Sequence, residues 1–152
     1  MTTVKRAILL GTLAVGTLDL ADALIFFGLR GAPPIRMFQS IAAGLLGRAS
    51  FSGGMNTALL GIVLHYFIAF LIVTTCVVLS RWMPLLRTRP ILAGMAYGIG
   101  VYLVMNLIVL PLSAAGRPAS VPVAVLNGVL IHMFGVGVPS CLAARAAYGS
   151  RS

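Results

Sequence analysis

The stretch TLDLADAL, Thr17 to Leu24, holds Asp19 and Asp22, the only two acidic residues in a chain with 11 Lys and Arg. Both sit inside an apolar run, where a carboxylate is hardest to solvate. The two histidines, His65 in GIVLHYF and His132 in GVLIHMF, also sit in apolar runs, as do Asn106 and Asn127. Carboxylates and imidazoles held away from bulk water suit a proton relay, a cation site or a ligand site. The same four groups, Asp19, Asp22, His65 and His132, are candidate ligands for a hard or borderline divalent metal. His65 and His132 alone could serve as axial haem ligands. The bland alternative is a closed hydrogen-bonded layer that fixes helix register and does nothing more.

The elements that position these groups follow from composition. With 152 residues, 60% of them hydrophobic and 9% charged, and a mean hydropathy of +1.07, the chain is one domain too apolar for a water-soluble body of its size. Four apolar runs, about 7–29, 57–79, 91–112 and 121–143, reach the roughly 20 residues that cross a bilayer. The expected fold is therefore all-α, a bundle of four transmembrane helices. The connector RWMPLLRTRP, Arg81 to Pro90, is short and basic, and SAAGRPAS, Ser113 to Ser120, reads as a small-residue turn.

Despite a formal charge of +9, no basic run is interleaved with aromatics, and the arginines punctuate the ends of apolar segments. That pattern flanks membranes and excludes nucleic acid as a partner. Lys5, Arg6, Arg81, Arg87, Arg89, Arg145 and Arg151 fall on one side, against Arg30, Arg36, Arg48 and Arg117 on the other. This bias places both termini in the cytoplasm, with Trp82 and Tyr148 at the cytoplasmic interface. Lys5-Arg6, the run Ala7–Leu18 and Ala21-Asp22-Ala23 imitate a cleavable signal peptide. The apolar run continues through Leu29, however, and an Asp inside the cleavage box speaks against cutting.

The long first connector carries an extra element. In IRMFQSIAAGLLGRASF, residues Ile35, Phe38, Ile41, Ala42 and Leu45 recur at helical spacing, with Arg36, Ser40, Ala43 and Gly47 opposite. This predicts an amphipathic helix over about 35–48, lying in the outer interface between the first two spans. A half-inserted re-entrant helix is the alternative, and it needs a protein-lined cavity.

Projected as helices, the spans show stripes of small residues. They are Thr12, Gly16, Asp19 and Ala23; Ala58, Gly61, His65, Ala69 and Cys76; Gly94, Gly98, Tyr102 and Asn106; and Gly128, His132, Gly135 and Pro139. Such stripes let helices approach closely and are expected as contact faces, including those of a homo-oligomer. Counted at 1.5 Å per residue from the outer ends, Asp22, Asn106 and Asn127 lie roughly 10 Å deep, His65 roughly 12 Å, Asp19 and His132 roughly 15 Å. Six polar side chains then share one layer, with His65 and His132 the expected partners of the carboxyls. The match of Gly61–Phe67 with Gly128–Phe134 suggests two helical hairpins related by an axis along the membrane normal, as in transporters built from parallel repeats. Cys76 and Cys141 lack metal or disulfide spacing and are expected as buried thiols.

DLxxA in the first span, RxFQxIAxGLLGxxSFxGG in the connector, LGxxxHxxIA in the second span and YxxMNxxVLPLS in the third resemble multi-pass bacterial inner-membrane proteins of the YagU-like kind. The likeness covers Asp19 to about Ser113. It implies an inner-membrane location and a helical fold, and carries over no activity. No GxSxG, P-loop, HExxH or dinucleotide fingerprint occurs, so neither an enzyme nor a particular cofactor is called for. The favoured expectation is a small transport or permeation subunit binding or relaying a proton or cation. A structural or accessory membrane protein and a metal or haem redox protein are the alternatives.

Overall fold

A computed structural model describes residues 2–116 and 121–149. Arg117 and Arg151, which entered the charge bias, lie outside these residues, as does the 117–120 part of the small-residue connector. Among the described residues every regular element is helical. In chain order they are α1, Thr3–Gly28; α2, Pro34–Leu46; α3, Gly54–Leu79; the short α4, Leu85–Thr88; α5, Pro90–Leu112; and α6, Pro122–Tyr148. A 3₁₀ segment, Gly47–Ser52, joins α2 to α3. α1, α3, α5 and α6 are each long and apolar enough to cross a membrane.

The helix starts have local causes. Thr2 caps α1 through a hydrogen bond from the Lys5 amide to its Oγ1. Helices α2, α5 and α6 begin at Pro34, Pro90 and Pro122, at a position where the missing N–H would have had no partner in the helix. α1 starts four residues before the apolar run does, because Lys5 and Arg6 fit an exposed helical turn as well as any residue. α6 continues five residues beyond its expected end, to Tyr148, because the alanines of AARAAY keep the chain helical.

Two prolines fall inside spans, and each distorts its helix. Pro111 in α5 follows a π-helical stretch at Met105–Val109, and Pro139 in α6 follows another at His132–Gly137. A proline ring clashes with the carbonyl four residues earlier, here Leu107 and Gly135, and each of those lies within its π stretch. Widening the helix there relieves the clash and redirects the carbonyls of that turn.

The helices meet through small side chains. The C-terminal half of α6 lies against α1, α3, α4 and α5 and forms the axis of the bundle. Val15, Ala69, Val73, Cys76, Val77, Val136, Cys141 and Ala144 make the core, while Ile25, Leu29, Leu45, Met55, Val63 and Leu112 face outward. This arrangement puts bulk outside and small residues inside. One of the closest crossings is that of α5 with α6. A Cβ on Gly98 would lie 1.9 Å from the His132 carbonyl oxygen, and one on Gly137 would lie 1.9 Å from that of Gly94. Backbone meets backbone there, as the GxxxG spacing of Gly94 and Gly98 allows. The small-residue stripes are thereby used largely within one chain.

α2 packs on α3 with a face that the sequence pattern did not indicate. Its buried residues are Gln39, Ala42 and Ala43, whereas Leu45 is 64% exposed. Ala43, assigned to the polar side, is buried, Phe38 and Ile41 are half-buried, and Ile35, Leu45 and Leu46 point outward. The physical reason is proximity: the Phe38 carbonyl rests on Gly61, so only small or hydrogen-bonded residues fit between the helices. Gln39 meets that demand by donating from Nε2 to the Gly54 carbonyl at 3.0 Å. At its far end, α2 is tied to the segment after α5 by a hydrogen bond from the Ala114 amide to the Gly44 carbonyl. α2 thus crosses the end of the bundle where α1 and α5 finish and α3 begins.

Candidate functional site

The two carboxylates part company. Asp22 lies on the side of α1 facing α6, and its Oδ2 accepts a hydrogen bond from Asn127 Nδ2 at 2.6 Å. This joins residues 105 positions apart and pins the start of α6 to α1. Asp19, just under one turn earlier, faces instead toward α2 and α3 and lines a cavity with His65 and Ser40.

His65 reaches from α3 to α1, its Nε2 lying 2.8 Å from the Gly16 carbonyl oxygen. His132 bonds within its own helix, from Nδ1 to the Gly128 carbonyl oxygen at 2.9 Å. A carbonyl can only accept, so Nε2 of His65 and Nδ1 of His132 carry the protons. In each neutral ring the other nitrogen keeps its lone pair, available to a proton or a ligand. Tyrosines fix both rings edge to face: Tyr66 stands 5.6 Å from His65 and Tyr102 stands 5.4 Å from His132, centroid to centroid. The Tyr66 hydroxyl is in turn 3.0 Å from Thr17 Oγ1, a second tie between α3 and α1. Asn106 turns back on its own helix and donates to the Tyr102 carbonyl at 2.9 Å.

The expected carboxylate–imidazole hydrogen bonds do not form. Asp22 is taken by Asn127, and one nitrogen of each ring is taken by a backbone carbonyl. His65 and His132 also relate differently to their surroundings, one bonding across helices and the other along its own, so the repeated heptapeptides do not play matching parts. Among the described residues no three His, Cys, Asp or Glu side chains gather closely enough to hold a metal ion. Asp19, Asp22, His65 and His132 therefore make no ligand set.

A cavity nonetheless brings three of the six candidates together. About 270 Å³ in volume, it is bounded by Asp19, His65 and His132 from three helices, with Ser40 of α2 and Met105 and Val109 of the α5 π stretch. Asp19 is nine residues from the end of α1, His65 eleven from the start of α3 and His132 ten from the start of α6. At the helical rise, all three lie about 14–17 Å below the α2 end. Asp19, Ser40, Ile41 and His65 also line a second cavity that extends past Ala23, Phe27 and Ala32 to Arg36 at the α1–α2 junction. Toward the termini the bundle closes on Val73, Cys76, Val77, Cys141 and Ala144, each fully buried. A third, apolar groove between α3 and α5 shares Ile68, Ile72, Met105 and Val109 with the central cavity. Tyr97 bridges those two helices beside it, donating its hydroxyl to the Ile72 carbonyl at 2.7 Å.

Sequence reasoning named Ser40 only as a polar-face residue and Pro139 only as part of a stripe, and it did not single out Tyr66 or the distortion that Pro111 and Pro139 impose. The prolines were the legible signal, because a proline inside a span must distort the turn before it. Compared with protein-family models, with curated proteins and with solved structures, the chain matches none.

Proposed function

We propose that the chain is an integral membrane protein of the transport or permeation class, and that Asp19, with His65 and His132, binds or relays a proton or small cation. The membrane setting is supported by the four long apolar helices and by bulky apolar side chains facing out of a small-residue core. The charge bias of the sequence supports both termini lying in the cytoplasm, and the resemblance to YagU-like proteins supports a bacterial inner membrane. On this reading α2 lies at the outer interface, where Arg30 stacks on Phe26 and Arg36 flanks Phe51.

The observation that carries the functional reading is the cavity. One acid and two imidazoles from three helices line it about half-way through a hydrocarbon layer roughly 30 Å thick. Its Asp19 wall continues to the α2 end, while the opposite end is sealed. Ionisable groups at that depth are costly and mark ion paths when a water-filled space reaches them. Among the described residues Asp19 has no hydrogen-bond partner, unlike Asp22, and so is the group left to carry a proton or hold a cation.

Purified protein in vesicles, with a pH-sensitive dye inside, tests the proposal. Wild type dissipates an imposed proton or monovalent-cation gradient, and Asp19→Asn abolishes the flux while keeping helical content. A wild type that passes neither ion removes the reading. The structural reading is then favoured, for which the closed bonds of Asp22 to Asn127, Asn106 to Tyr102 and each histidine to a carbonyl already speak.

A further inference from the structure

We propose that Cys76 and Cys141 form a two-electron redox site that closes to an interhelical disulfide on oxidation by a small, uncharged peroxide. They are the only cysteines in the chain, sit 65 residues apart on α3 and α6, and place their sulfurs 3.3 Å from each other. Both are free thiols with no exposed surface. A disulfide bond is about 2.05 Å long, so the sulfurs must approach by roughly 1.2 Å. Their neighbours Val73, Val77 and Ala144 seal the site against water-borne reagents. A charged tripeptide thiol or a bulky disulfide does not fit, whereas a peroxide the size of two waters crosses an apolar layer.

The chemistry balances in two steps. One sulfur attacks peroxide, the O–O bond breaks, and a sulfenic acid and one water result. The second thiol then attacks that sulfur, the S–O bond breaks, the S–S bond forms and a second water leaves. In sum, two thiols and one hydrogen peroxide give a disulfide and two waters, and the sulfurs lose two electrons. The second step is intramolecular between groups already in contact, where effective molarities reach roughly 10⁵–10⁸ M. Sulfenic acid therefore does not accumulate in the intact pair. The product pins α3 to α6 just beyond the sealed floor of the central cavity.

Intact-mass analysis of the full chain in detergent micelles tests this directly. After hydrogen peroxide, wild type loses the mass of two hydrogens, and neither cysteine is alkylated on subsequent unfolding until a dithiol reductant is added. Dimedone, added as the oxidised protein is unfolded so that it can reach the buried sulfur, traps sulfenic acid at Cys76 in Cys141→Ser but leaves wild type unlabelled. The proposal is overturned if wild type keeps two alkylatable thiols, or if it gains oxygen or dimedone instead of losing hydrogen. The wild-type measurement decides the matter even if the variant does not fold.

Discussion

Two glycines on one helix, two residues apart, are expected to respond to the same substitution with opposite signs. In α5, a Cβ on Gly98 would lie 1.9 Å from the His132 carbonyl oxygen, 2.6 Å from its carbon and 2.8 Å from Met133 Cα. All three are backbone atoms, so no side-chain rotation can relieve the clash. Reaching even 3.0 Å, the closest approach real Cβ atoms show, requires α5 and α6 to separate by at least 1.1 Å, the difference between 3.0 and 1.9 Å. Overpacking of this kind costs about 1–3 kcal/mol, and the separation also loosens the dispersion contacts on either side. Against this, replacing glycine by alanine within a helix returns about 0.8–1 kcal/mol. The net expectation for Gly98→Ala is a loss of up to about 2 kcal/mol. Gly100 has nothing within 4 Å of its added Cβ, so Gly100→Ala keeps only that propensity gain of about 0.8–1 kcal/mol. Unfolding in mixed micelles with rising sodium dodecyl sulfate, followed by far-ultraviolet circular dichroism, reads both. The midpoint falls for Gly98→Ala and rises for Gly100→Ala. If both midpoints move the same way, the backbone contact between α5 and α6 does not hold the bundle as described.

Asp22→Ala strands the Asn127 amide and is expected to lower stability by about 1–3 kcal/mol in the same unfolding assay, without abolishing any flux that Asp19 supports. Gly61→Ala sets a Cβ 1.9 Å from the Phe38 carbonyl oxygen and should detach α2. Limited proteolysis at the Arg48 region then becomes faster while the helical content of the four spans is retained. Tyr66→Phe removes the contact to Thr17 and should cost about 0.5–1.5 kcal/mol. Closing the Cys76–Cys141 loop of 65 residues by oxidation should stabilise the bundle by up to about 4 kcal/mol, by loop-closure entropy, seen as a higher midpoint that a dithiol reverses.

The four long helices were legible because bilayer-length apolar runs have few alternatives, and the connector helix because of its period. What escaped was direction. Ala43 was placed on the polar side of α2, yet it is buried beside Ala42, because the close approach of α2 to α3 demands small residues whatever their hydrophobicity. Depth along a helix follows from counting residues, so Asp19, His65 and His132 were placed at one level. Rotation about the helix axis does not follow from counting. Asp22 therefore turned to Asn127, and the imidazoles turned to backbone carbonyls that a one-dimensional pattern does not display. The π stretches added further rotation that an ideal 3.6-residue projection omits.

The four residues shared by the groove and the central cavity, Ile68, Ile72, Met105 and Val109, form a partition one side chain thick. If the chain spans a bilayer as proposed, an acyl tail would fill the slot of about 450 Å³ between α3 and α5 rather than leave a void. The central cavity, whose lining is mostly apolar around Asp19, His65 and His132, would then have lipid immediately behind one wall. Chain length and unsaturation of that membrane would thereby become determinants of its shape, a dependence that detergent, which fills the same slot differently, would erase.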